Sequence, residues 1–207
     1  MSGIEKIGLF GGTFDPPHMG HLKIIKQSLF QLQLDKLYVV VSGNPWMKGE
    51  RVVASKHQRQ EMVEIAFGGY KKVCLLKFEI NKDSPSYSYQ TLEYIKAKED
   101  AENASTIFDF YFIVGSDAAL NMDKWKKPLN ILTSTKIVCV PRNKILNQSV
   151  EKKLLGIYPQ SQIQFLKNVE EKISSTEIRK LFKGNEDVIE YFDYYVYTYI
   201  LKNDLYF

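Results

Sequence analysis

The sequence predicts an α/β fold in which a doubly wound, mostly parallel sheet of five to six strands is followed by a small C-terminal helical part. Segments typical of strands and of helices alternate along the whole chain. Several of the strand-like segments are continuously apolar, as in LYVVVS at 37–42, which is typical of parallel strands buried on both faces. No repeat or linker interrupts the alternation, so residues 1–207 are expected to form one domain, with a helical region from about 173 to 207.

The predicted strands are short apolar runs that end at glycine, proline or polar turns. They span 6–10, 37–42, 73–80, 108–114, 136–140 and 162–166. Helices are predicted where apolar residues recur at a period of 3.6 behind capping signals. They span about 18–34, 55–67, 88–99, 118–132 (broken), 150–155, 173–183 and 187–202. The opening strand, helix and strand predict a right-handed, Rossmann-like crossover, and the aromatic last helix is expected to pack against the sheet.

Composition is that of an ordinary globular protein, since 44% of the 207 residues are hydrophobic and 25% are charged. The net charge of +4 is mild and spread over many lysines, which favours small anionic substrates over a nucleic-acid surface. Cys74 and Cys139 lie in apolar strand-like runs, so buried free thiols are expected. No long apolar run suits a membrane span, and the first strand begins almost at once, so we expect a cytoplasmic protein without a membrane partner.

The stretch from residue 6 to residue 21, KIGLFGGTFDPPHMGH, is the most informative part of the chain. Gly11 and Gly12 are expected to end the first strand and to let a ligand approach the backbone. Asp15, followed by two prolines, favours a helix that opens near His18 with the aspartate as its N-cap. His18 and His21 then lie on one face of the first helical turn, beside the positive end of the helix. Glycine N–H groups, a helix N-terminus and two imidazoles together suit a polyphosphate.

Two other interpretations of the histidines stay open at this point, ordinary surface residues and metal ligands. A metal site needs a third ligand, and the remaining histidine, His57, falls in a separate polar helix where it is expected to be solvated. No metal site built from protein side chains is therefore predicted. Imidazoles that donate hydrogen bonds to phosphoryl oxygens need no such partner.

The second informative stretch is ISSTEIRKLFK at 173–183, where Ser174 and Glu177 have the spacing of a capping box. Arg179 falls in the first turns of that helix. FGGTFDPPHMGHL resembles the HxGH signature that nucleotidylyltransferases share with class I aminoacyl-tRNA synthetases, and ISSTEIR resembles their second, phosphate-binding signature. With GNPWMK, PSYSYQTLEYI, FIVGSDAALNMDKW, VCVPR and the terminal DLYF, the chain resembles the bacterial nicotinate mononucleotide adenylyltransferases over nearly its whole length.

This resemblance implies transfer of AMP from ATP to nicotinate mononucleotide, which gives nicotinate adenine dinucleotide and pyrophosphate in NAD biosynthesis. It implies that His18, His21 and Arg179 are the catalytic residues and that Mg²⁺ binds mainly through the ATP phosphates. The implied ATP and phosphate contacts are Gly11, Gly12, Thr13, Phe14, Ser175, Thr176 and Arg179. The implied contacts to the mononucleotide are Lys48, Tyr87, Ser88, Asp117 and Trp125.

Some of these assignments have a structural alternative. Trp125 is also explained as a packing aromatic, and Lys48 and Asp117 as solvated loop charges. The loop NPWMK lacks the proline-histidine-lysine element of many relatives, and Tyr191 to Tyr194 stand where a leucine-proline pair is usual. Nicotinamide mononucleotide, another acceptor such as phosphopantetheine, and an inactive nucleotide-binding protein therefore stay open, as does a homo-oligomer.

Overall fold

The computed structural model describes residues 3–45, 52–142, 145–169 and 174–207. The strands are β1 (Ile4–Gly12), β2 (Lys36–Val41), β3 (Val73–Leu76), β4 (Ile107–Gly115), β5 (Lys136–Val140) and β6 (Ile163–Phe165). The helices are α1 (Met19–Gln31), α2 (Lys56–Phe67), α3 (Ser88–Glu102), α4 (Ser116–Ala119), α5 (Pro128–Leu132), α6 (Asn147–Ile157), α7 (Ser175–Lys183) and α8 (Tyr194–Lys202). Short 3₁₀ helices lie at Met122–Lys124 and Ile189–Tyr191.

Within the described residues, the six strands form one parallel sheet in the order β3-β2-β1-β4-β5-β6. The chain moves outward from β1 to β3 and then crosses to the other side of β1 to form β4. The border between β1 and β4 is therefore the point where the strand order reverses, and ligands bind at the carboxyl ends of strands at such points. The predicted doubly wound fold class is confirmed, whereas the single domain over residues 1–207 stays a prediction.

The core lies on both faces of the sheet because neighbouring residues of each strand point to opposite sides. Phe10 belongs to the cluster that packs under α1 and α2, and Leu9 to the cluster that packs under α3, α5 and α6. Cys139 is buried in the second cluster, and both cysteines are free thiols. None of the described helices is long and apolar enough to cross a membrane.

Several local predictions were wrong. The third strand ends at Leu76, whereas the sequence predicted it to reach residue 80. The strand β1 continues to Gly12, so the glycines lie inside its end and do not terminate it. The final helix begins at Tyr194, where the Asp193 side chain caps it by accepting from Tyr195 N, and the predicted start at 187 is too early. This helix packs on α2 and α7 through a third cluster that includes Phe182, and not on the sheet. The buried residues of α8 are Val196 and Ile200, and of its tyrosines only Tyr197 and Tyr199 pack against this cluster.

Candidate active site

Three chain segments meet at the carboxyl edge of the sheet, beside the border between β1 and β4. The segment after β1 carries the two histidines, the segment after β4 carries Asp117, and the segment after β5 carries Arg142. Because parallel strands end at the same edge, segments distant in sequence converge there. The candidate site is built around this edge.

His18 and His21 build the start of α1 as a reciprocal capping box. His18, in an extended conformation at the N-cap, accepts a hydrogen bond from Gly20 N at its Nδ1 (3.2 Å). His21 accepts one from His18 N at its own Nδ1 (3.2 Å). The centres of the two rings are 3.9 Å apart. In a neutral imidazole whose Nδ1 accepts, the proton is carried by Nε2, so both rings carry an Nε2–H donor when neutral.

Asp15 is not the N-cap that the sequence predicted. Its carboxylate turns away from α1 and accepts from Val53 N at Oδ2 (2.8 Å) and from Ala54 N at Oδ1 (3.0 Å). The cap position is taken by His18 instead, so a histidine replaces the more usual aspartate, asparagine or serine.

The site holds His18 in its neutral form. The side chain is only 5% exposed. Burial lowers the pKa of His18 to about 3, and the nearby positive charge of Arg142 adds to this effect. His21 is buried as well, with its ring 4.9 Å from the Phe14 ring in an edge-on contact. Phe14 is 1% exposed, so its side chain supports His21 from the core, and a phosphate could meet only its backbone.

The second informative stretch lies directly against the first. Ser174 and Glu177 form the predicted capping box, which starts α7 at Ser175. Ser175 Oγ donates to the carbonyl of Pro16 (3.0 Å), and Arg179 Nη1 donates to the carbonyl of Asp15 (2.6 Å). Residues 11–21 and 174–179 thus meet, although about 160 positions separate them in sequence.

A buried arginine that the sequence did not single out donates hydrogen bonds to the turn between β1 and α1. Arg59 is 1% exposed and donates to the carbonyls of Thr13 (2.8 Å), Ser42 (2.7 Å), Gly43 (3.1 Å) and Ala54 (3.2 Å). Four carbonyls around one guanidinium fix the turn after β1 relative to the turn after β2. Nothing in the sequence distinguishes Arg59 from a solvated arginine in the first turns of a helix.

The two glycines of β1 differ in what surrounds them. A Cβ on Gly11 would meet nothing within 4 Å, whereas one on Gly12 would come within 2.9 Å of the Phe14 ring. Open space in front of Gly11 allows a ligand to reach the backbone. The absence of a side chain at Gly12 is instead required by packing.

The residues expected to contact the mononucleotide come from two places. Trp125 lies beside β4, whereas the segment before Ser88 lies beside the turn after β2, where Asn44 N donates to Ser86 Oγ (3.1 Å). Trp125 packs edge-on against Phe112, with ring centres 6.0 Å apart, and belongs with Tyr87 to the cluster under α3. Its indole nitrogen is buried, and no described group accepts a hydrogen bond from it. Ser88 is the first residue of α3, and Tyr87 makes no capping bond through its side chain. Lys48 lies outside the described residues.

Arg142 is a further residue whose position the sequence did not reveal. A Cβ on Gly115 would lie 2.5 Å from Asp117 Oδ1 and 3.2 Å from Arg142 Nε, so both side chains fold over this glycine. Arg142 Nε is buried, and no described residue accepts its proton. An unsatisfied buried donor on a cation beside His18 suits an anionic ligand. The sequence signals were the position of Arg142 at the end of a parallel strand and its place in the VCVPR segment of the family resemblance.

Comparison with known proteins decides the family. A family model described as cytidylyltransferase-like matches residues 9–181. The chain belongs to the cytidylyltransferase-like family. The probable nicotinate-nucleotide adenylyltransferase of Clostridium acetobutylicum is 36% identical to it, over 98% of this chain and 100% of that protein. The Clostridium tetani protein of the same name is 33% identical over 98% and 100%.

Solved structures agree with this membership at the level of the fold. The nicotinic acid mononucleotide adenylyltransferase of Plasmodium falciparum complexed with APC matches with a TM-score of 0.74, at 20% identity, over 98% of this chain and 97% of that one. Its complex with NaAD gives a TM-score of 0.73 at the same identity and coverage. The cytidylyltransferase-like chain is thus a nucleotidyltransferase, as the sequence motifs predicted.

Magnesium is the metal that the chemistry of this cytidylyltransferase-like family implies. Across the described ranges, no three His, Cys, Asp or Glu side chains are grouped so as to hold a metal ion. The Asp15 carboxylate already accepts two backbone N–H groups and the Tyr206 hydroxyl. Asp15 is thus already engaged by three donors, and a Mg²⁺ bound mainly through the ATP phosphates stays a prediction.

Proposed function

We propose that this protein transfers AMP from ATP to nicotinate mononucleotide and produces nicotinate adenine dinucleotide and pyrophosphate in NAD biosynthesis. A 5′-phosphate oxygen of the mononucleotide attacks the α-phosphorus of ATP, and the bond from that phosphorus to the bridging oxygen of pyrophosphate breaks. The names of the relatives support this activity. The observation that carries it is the meeting of His18, His21 and Arg179 at one edge of the sheet.

The catalytic work of the protein is positioning and charge stabilisation, because the transfer needs no covalent enzyme intermediate. His18 and His21 donate from Nε2–H to the phosphate oxygens, and neither ring has to give up a proton. The neutral state of His18 suits this role, since an uncharged donor is available at every pH well above its pKa of about 3. His21 is the donor nearest the α-phosphate, where charge develops in the transition state.

The β- and γ-phosphates bind between the turn after β1 and the start of α7. Ser175, Thr176 and Arg179 bring N–H groups, a hydroxyl and a fixed cation to this place. The backbone of Gly11, Gly12 and Thr13 approaches from the strand end, through the open space in front of Gly11. Bound Mg²⁺ would neutralise charge on the triphosphate, with its ligands supplied by substrate and water.

The mononucleotide binds at the carboxyl edge of the sheet, between the segment after β4 and the start of α3. Trp125 stacks on the pyridine ring, the start of α3 at Tyr87 and Ser88 meets its carboxylate, and Asp117 accepts from the ribose hydroxyls. Lys48 is proposed to contact this substrate from the loop after β2. A cytoplasmic location, the absence of nucleic-acid partners and a homo-oligomeric state stay predictions.

The activity is tested by following pyrophosphate release from ATP with and without nicotinate mononucleotide. We expect release that depends on the mononucleotide and falls about 100-fold or more in kcat in the variant His21→Gln. Glutamine is the usual residue at this position of a capping box, so α1 should keep its start while the imidazole is lost. His57→Gln, at an exposed position in α2, is the matched control and should retain activity.

The same assay separates the alternatives. A higher kcat/KM with nicotinamide mononucleotide or phosphopantetheine would reassign the acceptor. Binding of ATP without release in the presence of any acceptor would identify a nucleotide-binding protein that has lost turnover.

A further inference from the structure

The penultimate residue of the chain, Tyr206, is buried against the turn that carries the histidines. Its side chain is 3% exposed, and its ring lies 5.9 Å from that of Phe182 in α7. The hydroxyl donates to Asp15 Oδ1 at 2.8 Å. Burial, and then the neighbouring Asp15 carboxylate, raise the pKa of Tyr206, which favours the protonated hydroxyl that donates to Asp15.

The chain adopts an unusual backbone conformation to reach this contact. Asp204 and Tyr206 have φ values of +47° and +74°, in the left-handed region that side chains other than glycine rarely occupy. Such residues persist where the surrounding contacts over-determine them, and they are frequent at functional sites. The buried hydroxyl and ring of Tyr206 provide those contacts.

The Asp15 carboxylate is the group through which Tyr206 reaches the site. Its Oδ1 accepts from the Tyr206 hydroxyl and Ala54 N, and its Oδ2 accepts from Val53 N. The distance from Arg179 Nη1 to Oδ2 is 3.6 Å, which is too long for a hydrogen bond, whereas the same nitrogen donates to the Asp15 carbonyl at 2.6 Å. Three donors thus hold the carboxylate without a direct hydrogen bond from Nη1 to its oxygens.

We propose that Tyr206 is a positioning residue, whose hydroxyl fixes the Asp15 carboxylate so that Arg179 keeps its charge directed at the phosphate chain of the nucleotide. Without the hydroxyl, Oδ1 loses a donor inside the protein, and the Arg179 guanidinium is the cation placed to replace it. The guanidinium would then pair more closely with Asp15 and less with phosphate. The inference rests on the proposed function in that Arg179 binds the departing pyrophosphate.

The experiment measures the binding of inorganic pyrophosphate by calorimetry in the presence of Mg²⁺. We expect Tyr206→Phe, which removes only the hydroxyl, to weaken this binding about tenfold, equivalent to about 1.4 kcal/mol. Tyr195→Phe, an equally small change at an exposed position of α8, is the control and should bind as the wild type does. Denaturant unfolding of each variant measures the loss of stability separately.

A double-mutant cycle with Arg179→Ala tests whether the effect passes through the arginine. Removing the hydroxyl should have no further effect on pyrophosphate binding in this background, while its effect on stability remains. Wild-type affinity in Tyr206→Phe, or an unchanged tenfold loss in the Arg179→Ala background, would overturn the proposal.

Chemical rescue provides a second test, should the phenylalanine variant fail to fold. In Tyr206→Ala, p-cresol should restore both stability and pyrophosphate affinity, whereas toluene, which lacks the hydroxyl, should restore stability alone. Equal affinities with the two compounds would also refute the role of the hydroxyl. These measurements need no turnover, so a protein that binds pyrophosphate in this manner but fails to adenylate nicotinate mononucleotide would contradict the proposed function alone.

Discussion

Replacing His18 with asparagine should flatten the dependence of stability on pH between pH 7 and pH 5. The folded protein lowers the pKa of His18 from 6.5 to about 3, chiefly by burial. Below pH 6.5 the unfolded chain therefore binds a proton that the folded protein does not. The free energy of unfolding is unaffected by this group well above pH 6.5 and falls as the pH drops below that value, by about 1.36 kcal/mol per pH unit.

The expected magnitude follows from the two pKa values. Between pH 7 and pH 5 the linkage removes about 2 kcal/mol from the wild type through His18 alone. Asparagine does not titrate, and its amide oxygen can accept from Gly20 N as His18 Nδ1 does, so the start of α1 should survive. The difference between the two proteins isolates His18, because every other titrating group is common to both.

The assay is urea unfolding at several pH values, followed by circular dichroism. The wild type should lose about 2 kcal/mol more than His18→Asn between pH 7 and pH 5. His57→Asn, an exposed histidine lost from α2, controls for the removal of a histidine elsewhere. Equal losses in the wild type and His18→Asn would refute a neutral buried His18, and with it the account of an uncharged Nε2–H donor.

Three further predictions concern single substitutions. Gly11→Ala should change the free energy of unfolding by no more than about 1 kcal/mol, since its Cβ meets nothing within 4 Å. The same variant should raise the KM for ATP in initial-rate assays, because a phosphate is proposed to occupy that space. Gly43→Ala should lower the free energy of unfolding by about 1–3 kcal/mol in urea unfolding, because its Cβ would lie 2.1 Å from the Glu79 carbonyl oxygen. Gly69→Ala is the control and should not destabilise the protein, because its Cβ would lie in open space. Trp125→Ala should raise the KM for the mononucleotide in initial-rate assays and leave the KM for ATP within about twofold of the wild type. Equal increases in the two KM values would indicate that Trp125 has a packing role.

Elements specified by local sequence were predictable. The fifth strand begins and ends where its apolar run does, at Lys136 and Val140. The capping box of α7 follows from Ser174 and Glu177, three residues apart, which carry the signal within one turn. The family resemblance implied phosphate contacts in both residues 11–14 and residues 175–179, and the hydrogen bond from Ser175 to Pro16 shows that these two segments lie together.

What could not be predicted depends on partners distant in sequence. Asp15 has the usual chemistry of an N-cap, yet the amides of Val53 and Ala54 satisfy its carboxylate, and both lie 38 or more positions away. Arg59 has no local pattern, and the DLYF segment that contains Tyr206 carries the family resemblance without a contact for its hydroxyl. Only the tertiary structure places both donors against this turn. A local rule fails here because another part of the chain provides a competing hydrogen bond.

The two histidines explain why one motif identifies both a helix start and a site. Each ring uses Nδ1 to accept a backbone N–H at the start of α1, and this bond fixes the tautomer that carries a proton on Nε2. Folding of the helix therefore determines which nitrogen is the donor and where it points. Substitutions that preserve the capping bond but remove Nε2–H, such as His18→Asn and His21→Gln, separate the two roles. If such variants kept full turnover, the histidines would serve the fold alone, and the charge stabilisation would have to come from Arg142, Arg179 and the helix N-termini.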